Sequence, residues 1–102
     1  MDFFERMIHQ RNELMSMLTD YQCELDFLEW SFYIGISDDL KLNVSICEDE
    51  GYTCTTVYKV TDDCFFRHPD SCPLYHYGTP EMVATSIKET ADPLIWWFNR
   101  RV

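Results

Sequence analysis

Glycine is scarce in this chain: Gly35, Gly51 and Gly78 are the only three in 102 residues. A phosphate-cradling loop needs several glycines in a short run so that backbone N–H groups can close on the anion, so no such loop can be built here. Basic residues are also few, eight Lys and Arg against eighteen Asp and Glu. The resulting net charge of −10 repels nucleic acid and anionic lipid and attracts basic proteins. No apolar run approaches the roughly 20 residues needed to span a bilayer. The opening Met1-Asp2-Phe3-Phe4-Glu5 has neither the basic nor the apolar region of a secretory signal, so the expected location is the cytoplasm.

What the chain does contain is apolar and aromatic. Hydrophobic residues make up 46% and aromatics 16%, with Trp30, Trp96 and Trp97 among them. Acidic disordered tails lack aromatics, so the expectation is one folded domain over residues 1–102 with a strongly negative surface. Five cysteines, Cys23, Cys47, Cys54, Cys64 and Cys72, are an odd number, and a cytoplasmic chain keeps them as free thiols.

The hydrophobic period assigns the elements. From residue 2 to about 28, Phe4, Met7, Ile8, Leu14, Met15, Leu18, Tyr21, Leu25 and Leu28 recur at three- and four-residue intervals, which predicts one long amphipathic helix, with a break near Asp20 as the alternative because Arg11 and Gln22 intrude on the apolar arc. From Trp30 the period becomes two. Phe32, Ile34 and Ile36 define a first strand and Leu42, Val44 and Ile46 a second, joined by a turn at Ser37-Asp38-Asp39. Glu48-Asp49-Glu50-Gly51 reads as a hairpin loop, and Tyr52 to Val60 as a third strand closed by Thr61-Asp62-Asp63. Pro69 and Pro73 exclude a central strand from the next stretch, leaving Cys64-Phe65-Phe66 or Leu74 to Tyr77 as a short edge strand. Gly78-Thr79-Pro80-Glu81 starts a helix, with Thr79 as cap and Pro80 in the first turn. Pro93 then implies two short helices or one kinked helix, and Arg100 and Arg101 suit its C-terminal dipole. The expected class is α+β: an N-terminal helix, an antiparallel meander of three to four strands and a C-terminal helical segment, both helices on one sheet face.

Candidate chemistry is thin. Cys64, His68, Cys72 and His76 are zinc-ligand types spaced four apart, but the two-residue spacing of paired zinc cysteines is missing, and the prolines prevent one helix from aligning them. No metal or other cofactor is therefore assigned. A cysteine nucleophile needs a nearby positive group to lower its pKa, which this charge balance opposes, so no catalytic residue is assigned and the chain is read as non-enzymatic. The acids form the stronger pattern. On one continuous helix Asp2, Glu13, Asp20 and Glu24 fall within about 40° of one another, opposite the apolar stripe. Together with Glu48, Asp49, Glu50, Asp62 and Asp63 they make a negative surface, with Phe27 as an aromatic anchor.

The expected function is an acidic inhibitor that docks on the basic, nucleic-acid-binding surface of a partner protein, without binding nucleic acid or membrane itself. In size and charge, though in no motif, the chain is comparable to small phage anti-CRISPR and anti-restriction proteins. The alternative is a small structural or regulatory subunit that associates through the apolar segment Trp96-Trp97-Phe98.

Overall fold

The computed structural model describes residues 2–47, 51–61 and 64–100. Asp2 begins helix α1 (Phe3–Met17) by accepting a 2.9 Å hydrogen bond from the Glu5 N–H, which satisfies one of the donors that a helix start leaves bare. Met7 and Leu14 are its buried residues. The helix ends at Leu18 and does not reach residue 28. Leu18 is fully buried at the cap, its N–H on the Met15 carbonyl at 3.1 Å, so the chain turns with that side chain held in the core. Thr19, Asp20 and Tyr21 are weak helix formers; the Tyr21 N–H turns back to the Leu18 carbonyl, and from Gln22 onward the backbone finds partners on the sheet. The Gly35 N–H donates to the Gln22 carbonyl at 2.8 Å, and strand β1 (Cys23–Leu25) pairs antiparallel with β2 (Ser31–Ser37).

The meander follows the two-residue alternation. Strand β3 (Leu40–Cys47) pairs with β2 and with β4 (Tyr52–Thr61), aligning Val44 with Phe32 and Thr55. Gly51 has φ +74, the conformation that a hairpin end asks of glycine. Among the described residues the sheet has six strands, more than the three to four expected. Both weak candidates form: β5 (Cys64–Arg67) and β6 (Leu74–His76) divide the outer edge of β4 between them. β5 pairs with Tyr58–Thr61 and β6 with Thr53–Thr55. Pro69 and Pro73 fall in the connection between them, where no ladder N–H is needed.

Thr79 caps helix α2 (Pro80–Asn99), with Pro80 in its first turn as predicted. Pro93 neither ends this helix nor divides it. The missing N–H costs one bond, but burial holds both flanks: Ala91 is fully buried, Leu94 and Ile95 pack on the core, and Asn99 Nδ2 donates to the Ile36 carbonyl at 2.6 Å. Arg100 caps the helix and lies over two rings of the preceding turn, 4.8 Å from the Trp96 centroid and 4.2 Å from that of Trp97. Met7, Leu14 and Leu18 of α1 and Val83, Ala84, Ile87 and Ala91 of α2 share one core cluster with the even-numbered residues of β2 and β3. The architecture is thus α+β, with the helices on one face of an antiparallel sheet.

The helix boundary can be tested by stability. Leu18→Ala should cost about 2–5 kcal/mol in urea denaturation, as a core truncation does. Leu25→Ala should change stability by no more than about 0.5 kcal/mol, because Leu25 is 64% exposed. A continuous helix with Leu25 on its apolar stripe would make both substitutions costly.

Candidate partner-binding face

The odd-numbered residues of β2 and β3 point away from the helices, and on this open face the sheet supplies its own cover. Tyr33 pairs with Glu24 on one side and Asn43 on the other. Its ring meets Phe65 edge-on at 5.0 Å and Tyr58 at 6.2 Å. Beneath these rings the polar side chains bond one another: Ser31 and Ser45 share a 2.7 Å hydrogen bond, and the Ser45 hydroxyl donates to Asn43 Oδ1 at 2.8 Å. Ser31 is fully buried although no helix covers it.

At the β1 end of this face a cleft of about 440 Å³ opens between Glu24, Leu25, Asp26, Phe27, Tyr33 and Phe65. Phe27 is 89% exposed, and Asp26 Oδ1 accepts its N–H at 2.8 Å. A cation of the chain itself occupies the edge of the cleft. The Lys41 ammonium is ion-paired with Glu24 and sits 5.4 Å from the Phe65 centroid. Carboxylate on one side and aromatic face on the other is the environment that a side-chain cation seeks. Burial pushes the Tyr33 phenol up to about 12, with the charge of Asp26 next in effect, then Tyr58; the Asn43 hydrogen bond opposes them and Glu24 adds a smaller push.

The acidic stripe expected on one helix is not assembled. Asp2 and Glu13 lie on or beside α1, Asp20 lies in the turn after it, and Glu24 is on β1 on the open sheet face. The structure instead brings Glu24 together with Phe27, and adds Asp26, Tyr33 and Phe65, which sequence reasoning missed. Glu24, Asp26 and Phe27 are close in sequence, and the register of β1 through β5 brings Tyr33 and Phe65 to them. Glu48, Asp49, Glu50, Asp62 and Asp63 lie outside the described residues.

Cys64, His68, Cys72 and His76 do not converge, and no group of three or more metal-ligand side chains occurs among the described residues. None of the five cysteines is in a disulfide. His76 is a clamp: buried on β6, it bonds Thr55 Oγ1 through Nε2 at 2.9 Å and Ser86 Oγ through Nδ1 at 2.7 Å, tying β4, β6 and α2 together. Burial lowers its pKa below the ordinary imidazole value.

No family model, no curated protein and no solved structure matches the chain. The face is therefore read from its own geometry.

The clamp has a pH signature. Unfolded, His76 takes up a proton near pH about 6.5, while the folded imidazole stays neutral to lower pH. In that window the unfolded state binds more protons, so stability is complete above about pH 6.5 and falls as the pH drops toward the folded pKa. Urea midpoints measured across this range should decline in the parent and be flatter in His76→Asn. Equal slopes would remove the histidine as the cause.

Proposed function

We propose that this chain is a non-enzymatic binding protein whose open sheet face docks on the basic, nucleic-acid-binding surface of a partner protein. The observation carrying this reading is the cleft in which Lys41 is held between the Glu24 carboxylate and the Phe65 ring. The same acceptors and rings, extended by Asp26 and the exposed Phe27, suit lysine or arginine side chains that otherwise hold phosphates. Phe27 supplies the apolar contact at the rim, and the charge of −10 steers a basic partner toward the protein. Acting as an inhibitor then follows from occupation: a partner whose cations are held by carboxylates cannot present them to nucleic acid.

A second reading rests on the C-terminal end of α2. Trp96, Trp97 and Phe98 are 61%, 45% and 40% exposed, an apolar helix end suited to subunit association. Salt separates the two. Charge-driven docking weakens as ionic strength rises, whereas association through indoles does not.

Binding of an arginine-rich peptide, followed by calorimetry at low and at physiological salt, tests the first reading. Asp26→Lys and Phe27→Ala should each weaken it by about 1–2 kcal/mol. Both sites are exposed enough for the fold to survive, and unchanged circular dichroism checks this. Glu89→Lys, exposed on α2 across the sheet from the cleft, should have a much smaller effect. Equal losses from all three would reduce the interaction to net charge and dissolve the cleft as a site. Sedimentation of Trp96→Ala addresses the second reading, which requires a self-associated parent and a smaller variant.

A further inference from the structure

On the opposite, helix-covered face a second cavity of about 250 Å³ lies where four elements meet. α1 contributes Gln10 and Leu14, the start of β4 contributes Tyr52 and Thr53, β6 contributes His76, and the α2 end contributes Pro80 and Val83. Its most telling member is Thr53. This residue is 5% exposed, lies opposite His76 in the β4–β6 ladder and lines the cavity. Its neighbour on the same face, Thr55, gives its hydroxyl to His76. Among the described residues nothing bonds the Thr53 hydroxyl. A buried hydroxyl without a partner is costly, and native proteins meet one with ordered water or with a bound molecule.

We infer that this cavity is a binding site for a small uncharged molecule of one ring, bearing a group that both donates and accepts hydrogen bonds. The hydrogen-bonding group meets the Thr53 hydroxyl and the Gln10 amide, and the ring lies against Leu14, Val83, Pro80 and Tyr52. The ligand is uncharged because no Asp, Glu, Lys or Arg among the described residues lines the cavity. His76 offers no charge either, since burial favours its neutral imidazole, and both of its ring nitrogens are already bonded within the protein. Size sets the single ring: the space equals that of about eight liquid waters and falls below the ~300 Å³ at which drug-sized pockets begin. This site is independent of the cleft on the open face, and either could fail without the other.

Benzamide and benzyl alcohol serve as probes, with benzoate as the charged counterpart of the same shape. Amide and methyl resonances of the whole protein are followed by NMR during titration up to the solubility limit. Saturable shifts centred on Thr53, Gln10 and Val83 are expected with the uncharged probes and not with benzoate. Thr53→Val, which keeps the shape and removes the hydroxyl, should weaken benzamide binding about tenfold while leaving the thermal midpoint unchanged or higher. Gln10→Ala, at a half-exposed helix position, should weaken binding without unfolding the chain. The inference is overturned if neither uncharged probe gives saturable shifts at these residues, or if benzoate binds as well as benzamide. It is equally overturned if Thr53→Val lowers the thermal midpoint and leaves binding unchanged, since the hydroxyl would then be satisfied by ordered water alone.

Discussion

The outer edge of β4 is a row of backbone donors and acceptors ten residues long, and such a row must be paired or left to solvent. Two short strands meet this demand, β5 along one half and β6 along the other, with the His68 N–H bonding the Val57 carbonyl at 2.8 Å where the chain turns away between them. Both proposed sites follow from that division. β5 carries Phe65 over Tyr33 and so closes one wall of the acidic cleft. β6 carries His76 under Thr55 and delivers the chain to the start of α2, which frames the cavity around Thr53.

Legibility in the sequence tracks how local each cause is. β2 and β3 were readable because Phe32, Ile34, Leu42 and Val44 alternate with polar residues, and one buried face enforces that period. The cap Thr79 was readable because its hydrogen bond spans three residues. The end of α1 was only hinted at by Arg11 and Gln22 in the apolar arc, since Leu18, Tyr21, Leu25 and Leu28 keep helical spacing while β1 pairing with Ile34 and Phe32 decides the matter from a distance. β5 and β6 were blurred by the prolines between them. Pro93 pointed to a break, but packing on both sides outweighs one absent hydrogen bond. Of the cleft, Glu24 and Phe27 were found for the wrong reason, as members of a helix. Tyr33 and Phe65 had no signal at all, because sheet register alone gathers them, while Asp26 stood beside Phe27 in the sequence and was passed over. Thr53 was equally silent, since its distinction lies in what it fails to touch.

The few cations are placed with economy. Lys41 bridges Glu24 and Phe65, Arg67 donates to the Ser71 carbonyl at 2.9 Å, and Arg100 covers two indoles. Two of these three engage groups without formal charge, so they do little to offset the acids. The chain keeps its self-repulsion, which opposes compactness but favours solubility and rapid encounter with positive surfaces. Tyr21 shows one local consequence: its hydroxyl donates to Asp92 at 2.6 Å, and its phenol is pushed up to about 12 by burial first and then by that carboxylate.

All strand pairings except that of β4 with β6 join elements adjacent in the chain. The hairpins therefore close over short loops, whereas docking α2 requires contacts such as Tyr21–Asp92 and Asn99–Ile36, 71 and 63 residues apart. Closing a longer loop costs more entropy, and folding rates fall as contacts become less local. The meander is thus the early structure and helix docking the late one. During synthesis the same order is imposed by the ribosome: the sheet emerges with α1 able to cover only part of the face that bears Ile34, Leu42 and Val44, and the rest stays open to chaperones or to aggregation until α2 has cleared the exit tunnel.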